Sequence, residues 1–270
     1  MSNTLRLYAR FPACPLCDGN SLADLRVDRC NGHPLWQRGL SEYIHWVHCT
    51  HCEHVFSRDF FTPEGLALLF GRANPSQIAT LNIDIERTRW APSIERVQQH
   101  LGQPAWAVDD AVWLDVGCGG GGLVITAAEY GFTAIGLDTR FAAVEHLRKL
   151  GYSAEVGDLS NLDVSDPVQV ISLADVLEHV PYPRNALKRV YCALQPHGLV
   201  MISCPNLDCG SWRKSNADGV NPYWGEIEHH HNFSRASLMR LLAEEGFQPL
   251  SYHISVRYKS CMEIIARRTA

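Results

Sequence analysis

The run Asp115-Val116-Gly117-Cys118-Gly119-Gly120-Gly121-Gly122 constrains this chain more than any other segment. It closes a short apolar strand, Val112 to Val116, and opens a helix, so its backbone can come close to a ligand. The same rhythm continues downstream. Thr133 to Asp138 reads as a second strand and Phe141 to Leu150 as a helix, followed by a strand over Val168 to Leu173 and a helix over Ala186 to Leu194. A turn at Gln195-Pro196-His197-Gly198 then leads into Leu199 to Ser203. Alternation of this kind predicts a parallel sheet with helices on both faces. The tail adds a helix near Ser237 to Glu245 and two strands, Phe247 to Val256 and Cys261 to Ala266. Only a short turn separates those two, so they should pair antiparallel. The expectation is an α/β, Rossmann-like parallel sheet with a final antiparallel strand, over residues 106–270.

Gly117, Gly119 and Gly122 also satisfy the dinucleotide fingerprint G-x-G-x-x-G. Asp115 argues against that reading, because a pyrophosphate at this turn would have a carboxylate as its neighbour. S-adenosylmethionine carries a cationic amino group and a sulfonium and no phosphate, so an acid here attracts it. Asp138, at the end of the next strand, suits a carboxylate accepting from both ribose hydroxyls. Asp158, in Val156-Gly157-Asp158-Leu159, sits where a third strand should end and could accept from the adenine amino group. Three acids at three successive strand ends suit a cationic nucleoside.

With Leu114-Asp115-Val116-Gly117-Cys118-Gly119-Gly120-Gly121, Gly136-Leu137-Asp138, Gly157-Asp158 and Asp175-Val176-Leu177-Glu178-His179-Val180 on view, the chain from about Trp113 onward resembles the class I S-adenosylmethionine-dependent methyltransferases. The resemblance implies that Asp115, Gly117, Cys118, Gly119 and Gly121 hold the methionine part, Asp138 the ribose, and Asp158 with Leu159 the adenine. The product would be S-adenosylhomocysteine. Gln169 departs from the pattern, since many relatives carry an acid on that strand.

Methyl transfer from a sulfonium is an in-line displacement that asks the enzyme to align its reactants and exclude water. A hydroxyl acceptor gains from a base near neutrality, which favours histidine. His179 falls just beyond the fourth strand of the domain, with Glu178 beside it to orient the loop. His229 lies in Glu228-His229-His230-His231-Asn232-Phe233-Ser234, a run whose counterpart in relatives lies over the substrate pocket. His179 and His229 are therefore the candidate catalytic residues. Trp212, Tyr223 and Trp224 read as a lid and substrate wall. Consecutive residues of an extended segment point in opposite directions, so the three histidines are not expected to share one metal.

The first stretch of the chain, residues 1–61, has a different logic. Cys14-Pro15-Leu16-Cys17 and Cys49-Thr50-His51-Cys52 carry the spacing of two knuckles that hold one structural Zn2+ through four thiolates. Such an ion stabilises a ribbon too small to bury a core alone. A strand, Tyr43 to His48, should lead into the second pair, and residues 62–105 read as a helical linker or cap. The remaining Cys192, Cys204, Cys209 and Cys261 read as buried filler. Ten cysteines without a signal-type leader or a spanning apolar run point to a reducing, cytoplasmic setting.

A ribbon, a helical linker and this domain in series resemble bacterial sugar and glycan-tailoring methyltransferases. The C-methylating members carry a further C-terminal domain, whereas this chain closes on its last sheet strand. The expected acceptor is thus a small molecule or a sugar or glycan, methylated on O or N in preference to C. One alternative is a ribosomal RNA base methyltransferase, but a net charge of -5 and a ribbon poor in Lys and Arg disfavour nucleic acid. Another is a non-catalytic zinc-ribbon interaction protein, against which the intact acid set speaks.

Overall fold

In the computed structural model, which describes residues 7–70, 82–107, 111–160, 162, 164 and 166–270, the chain begins with strands β1 (Tyr8–Arg10), β2 (Leu22–Arg29), β3 (Tyr43–Cys49), β4 (Val55–Ser57) and β5 (Asp59–Phe61) and helix α1 (Pro63–Phe70). Helix α2 (Ile83–Leu101) precedes β6 (Val112–Val116), α3 (Gly122–Glu129), β7 (Thr133–Asp138), α4 (Phe141–Lys149) and β8 (Ser153–Val156). Then come β9 (Val168–Ala174), α5 (Pro183–Ala193), β10 (Leu194–Pro205), α6 (Gly210–Ala217), β11 (His231–Asn232), α7 (Arg235–Glu244), β12 (Phe247–Ile254) and β13 (Cys261–Arg268). Residues 71–81, within the expected helical linker, lie outside the described residues. Among the described residues no helix is long and apolar enough to cross a membrane.

The chain forms two compact units. One comprises Met1–Ala73, Glu178–Arg184 and Pro205–Leu238; the other comprises Asn74–Leu177, Asn185–Cys204 and Met239–Ala270. The second unit holds a seven-stranded sheet in the order β12-β13-β10-β9-β6-β7-β8. The pairs β10/β9, β9/β6, β6/β7 and β7/β8 are parallel, and β12/β13 is antiparallel as the short connection requires. The sheet thus has the expected Rossmann-like arrangement. Its central strands read as continuous apolar runs because helices cover both faces. Trp113 stacks edge-on against Phe132 at 5.0 Å, and Leu123, Val124, Val144 and Leu147 fill the surrounding core. Asn82 caps α2 by accepting from the Ile85 N–H at 3.1 Å, and Gly102 ends it in the left-handed conformation at φ 78°. The turn expected at Gln195-Pro196-His197-Gly198 is a break in register inside β10, with His197 at φ 65°.

The first unit pairs β1 with β5 and builds a second sheet in the order β11-β4-β3-β2. Trp212 and Trp224 are 2% and 6% exposed and share a core with Trp46, Ile44 and Phe61. The Trp46 indole donates to the Trp224 carbonyl at 2.9 Å, and Trp212 stacks on Tyr223 at 5.0 Å. These aromatics, expected to form a lid, are instead core. The physical reason is size: the cysteine ribbon has too little apolar surface to bury alone, and the later segment supplies it. Cys192 departs from expectation too, being exposed.

Candidate functional site

Two groups of chemistry-bearing residues emerge, one in each unit. In the second unit β6 lies between β7 and β9, so the sheet continues from it in both directions; that reversal point is where open α/β sheets bind ligands. The loop after β6 turns through left-handed glycines, Gly117 at φ 72°, Gly119 at 52° and Gly121 at 82°. A Cβ on Gly121 would lie 2.2 Å from Leu147 Cδ2, and one on Gly117 would lie 2.6 Å from Val176 Cγ2. Only glycine permits both the turn and the close approach. Cys118, between them, is buried, and burial pushes its thiol well above the usual range, which disfavours the reactive thiolate.

Asp115 is 3% exposed. Its carboxylate accepts from Ser172 Oγ at 2.6 Å, and Ser172 in turn accepts from the Trp113 indole at 2.9 Å. Burial raises the Asp115 carboxyl to about 7, with the Ser172 bond and Arg257 acting to lower it. Folding therefore adds affinity for a proton. The resulting stabilisation is fully present below the unfolded carboxyl range, near pH ~4, and is lost as pH rises to about 7. Asp115→Asn keeps an acceptor for Ser172 but removes this titration. Between pH 5 and pH 8 the wild type should lose more stability than D115N in urea unfolding; equal losses would assign the pH dependence elsewhere.

Asp138, at the end of β7, is also 3% exposed. Its Oδ2 accepts from the Gly119 N–H at 2.8 Å and from Arg140 Nη2 at 2.9 Å, while its Oδ1 accepts from the Arg140 N–H and Nε, each at 2.9 Å. Burial acts to raise this carboxyl, but the Arg140 guanidinium and the two N–H donors outweigh it and hold it below the usual range. Asp158 lies two residues beyond β8 and accepts from the Ser160 N–H at 2.7 Å; Leu159 beside it is buried. The parallel register sets Val116 beside Leu137 and Asp138 beside Val156, which brings the three strand ends to one edge.

Several neighbours of this edge were not legible in the sequence. Glu86 of α2 leans over the loop, its Oε2 within 2.7 Å of where a Gly122 Cβ would stand. Arg257 pairs with Asp175 and lies 4.2 Å over the Trp90 ring. Asp175 adopts φ 57°, uncommon for a residue with a side chain. Arg140, only two positions from Asp138, is the one partner that a local reading could have found.

In the first unit the four cysteines Cys14, Cys17, Cys49 and Cys52 come together, all four sulfurs within 4.8 Å of one another. Cys14 and Cys52 are 3.5 Å apart, and Cys17 and Cys49 3.6 Å. The two knuckles repeat one backbone pattern. Asp18 N–H donates to the Cys14 carbonyl at 2.9 Å and Glu53 N–H to that of Cys49 at 2.8 Å, with Asp18 and Glu53 at φ 56° and 60°. A tetrahedral site with Zn–S bonds of ~2.3 Å sets its sulfurs about 3.8 Å apart, so this donor set fits the ion.

The same unit holds the histidines. His231 bridges the structure, accepting from His54 at 3.0 Å and donating to the Val180 carbonyl at 2.9 Å. Burial lowers its pKa to about 4, so it is a neutral structural link. His229 and His230 instead line a cavity of about 490 Å³, with Tyr43, Ile44, Phe61 and Ile227 among its apolar walls and Ser57 beside them. The volume is that of a small-molecule pocket. His229 is 8% exposed, its Nδ1 has no hydrogen-bond partner, and burial together with the neighbouring histidines drives its pKa well below 6.5. His179 packs edge-on against it at 4.7 Å between centroids and donates from Nδ1 to the Glu228 carbonyl at 3.1 Å. The two predicted catalytic histidines, His179 and His229, are thus neighbours.

Comparison with known proteins agrees with this architecture. A family model described as a methyltransferase domain matches residues 85–252. Relatives named as ubiquinone biosynthesis O-methyltransferases include that of Yersinia enterocolitica, 31% identical over 41% of this chain and 49% of the relative. Another, from Aliivibrio fischeri, is 30% identical over 50% of this chain and 63% of the relative. The chain spans about half the length of the curated relatives it matches. Among solved structures, the 1,6-didemethyltoxoflavin-N1-methyltransferase of Burkholderia thailandensis, with its bound 1,6-didemethyltoxoflavin and S-adenosylhomocysteine, is 20% identical. It shares the fold with a TM-score of 0.57 over 83% of this chain and 99% of its own. The chain belongs to the methyltransferase-domain family.

Proposed function

We propose that this protein transfers the methyl group of S-adenosylmethionine to a small-molecule acceptor, with oxygen favoured as the acceptor atom. The observation that carries this reading is Asp138, a buried carboxylate at the end of β7 tied to the Gly119 N–H of the glycine loop. When bound, the cofactor supplies an electrophilic methyl on a sulfonium. Asp115 and the loop Gly117, Cys118, Gly119 and Gly121 hold its methionine end, Asp138 its ribose, and Asp158 with Leu159 its adenine. The three acids provide negative potential for a cationic nucleoside and would repel a pyrophosphate. His179 and His229 are the groups assigned to take the proton that the acceptor loses.

The relatives named as O-methyltransferases support oxygen. Sugars and glycans remain a second acceptor class within the same reaction. Cys14, Cys17, Cys49 and Cys52 hold a structural Zn2+, and a cytoplasmic, reducing setting keeps those thiols available. Calorimetry should detect binding of S-adenosylmethionine and S-adenosylhomocysteine in preference to NAD. Labelled methyl transfer should then appear on phenolic or other small hydroxyl compounds, or on nucleotide sugars, and not on RNA. Tighter binding of NAD would overturn the cofactor reading; labelled RNA would overturn the acceptor class.

A further inference from the structure

We propose that Glu178, His179 and His229 form a second metal site, distinct from the four cysteines, that takes a divalent transition ion and leaves a coordination position open to the cavity of the first unit. One carboxylate oxygen and two imidazole nitrogens lie within 4.8 Å of one another. Glu178 is 1% exposed and His229 8%, which places two of the donors out of bulk water. His229 Nδ1 is buried with no hydrogen-bond partner, and a buried ring nitrogen left without one is destabilising unless a ligand supplies the bond.

His179 is prepared in the complementary way. Its Nδ1–H donates to the Glu228 carbonyl at 3.1 Å, so the lone pair of the neutral ring sits on Nε2. Donation of the second ring N–H to a backbone carbonyl is the usual way a protein orients an imidazole toward an ion. The His230 N–H donates to the Glu178 carbonyl at 2.8 Å, which locks the two segments bearing the donors to each other. Two imidazoles and a carboxylate are the donor set of zinc and iron sites that retain exchangeable positions, whereas four thiolates close a site. His229 lines the cavity, so an exchangeable position there would open onto it. A second cluster, His33 with Glu226 and Glu228, is less suited because His33 Nε2 is already bonded to Glu226 at 2.9 Å. Binding of the ion is independent of the methyl-transfer reading. Its use, lowering the pKa of an acceptor hydroxyl that it binds so that the O–H proton leaves to solvent, rests on the methyl-transfer part of that reading and takes the place of the proton-acceptor role of His179 and His229.

The test uses the full chain carrying one zinc at the cysteines, titrated with Co2+. One further equivalent should bind and give visible absorption of a nitrogen and oxygen site, without thiolate charge-transfer bands in the near ultraviolet. His229→Ala and Glu178→Gln should each weaken Co2+ at least tenfold, and His45→Ala, on the cavity wall outside the cluster, should leave it unchanged. Should either buried variant fail to fold, by near-ultraviolet circular dichroism, His179→Asn at the half-buried position decides. No second equivalent of Co2+, or an affinity unmoved by His229→Ala or His179→Asn, overturns the site. A bound ion without methyl transfer would leave the site standing and defeat only its use.

Discussion

Replacement of Asp138 by alanine is expected to weaken S-adenosylmethionine binding at least ~100-fold, and calorimetry on the folded variant measures it directly. Two losses combine. The ribose diol loses a charged acceptor, where each such hydrogen bond is worth roughly 1.5–3 kcal/mol, so two amount to about 3 kcal/mol or more. The Gly119 N–H, 2.8 Å from Asp138 Oδ2, loses the bond that holds the loop against β7. Asp138→Asn should fall between, since it keeps acceptor geometry and gives up the charge. The carboxylate also contributes to stability. Its folded pKa lies below the unfolded value, so the contribution is present above the ordinary carboxylate range and is lost as pH falls through the folded value. D138A should accordingly lose stability at pH 7 and less at pH 3. An affinity within threefold of wild type would remove Asp138 from the cofactor site.

On the proposal that the four cysteines hold zinc, loss of that ion should be the larger structural event. Structural zinc contributes about 10–16 kcal/mol to small sites of this kind, as much as the whole stability of a typical domain. The strand β3 ends on Cys49, and the core beside it contains Trp46, Trp212 and Trp224. Cys49→Ser, or one equivalent of zinc displaced by a mercurial reagent, should therefore abolish the near-ultraviolet signal of these tryptophans. Stoichiometric metal analysis, with the mercurial releasing the thiolate-bound ion alone, checks the count. Retention of that signal after complete zinc release would make the four cysteines a dispensable feature of the first unit.

The elements nearest the glycine loop were legible because they rest on local rules. The strand before Gly117 and the strand ending at Asp138 each follow from a few adjacent residues. The four-cysteine set was equally legible, since two C-x-x-C knuckles specify their own backbone turn. Trp212, Tyr223 and Trp224 were misplaced for the opposite reason. A long insertion rich in aromatics reads alike as a lid or as core, and only burial against residues more than a hundred positions earlier distinguishes the two. The strands β2, β4 and β5 were missed because their residues lack the alternation of a half-buried sheet.

By itself, then, the order of residues determined the parallel sheet, the acid at each of three strand ends and the metal-ligand spacing of the cysteines, all set by contacts short in sequence or by the period of a single element. The tertiary structure alone decided which acids are buried and bonded, Asp115 to Ser172 and Asp138 to Gly119. It likewise decided that Glu178, His179 and His229 converge and that the tryptophans of the later segment complete the ribbon's core. Those outcomes depend on desolvation and on pairings between distant segments, and no local pattern encodes either.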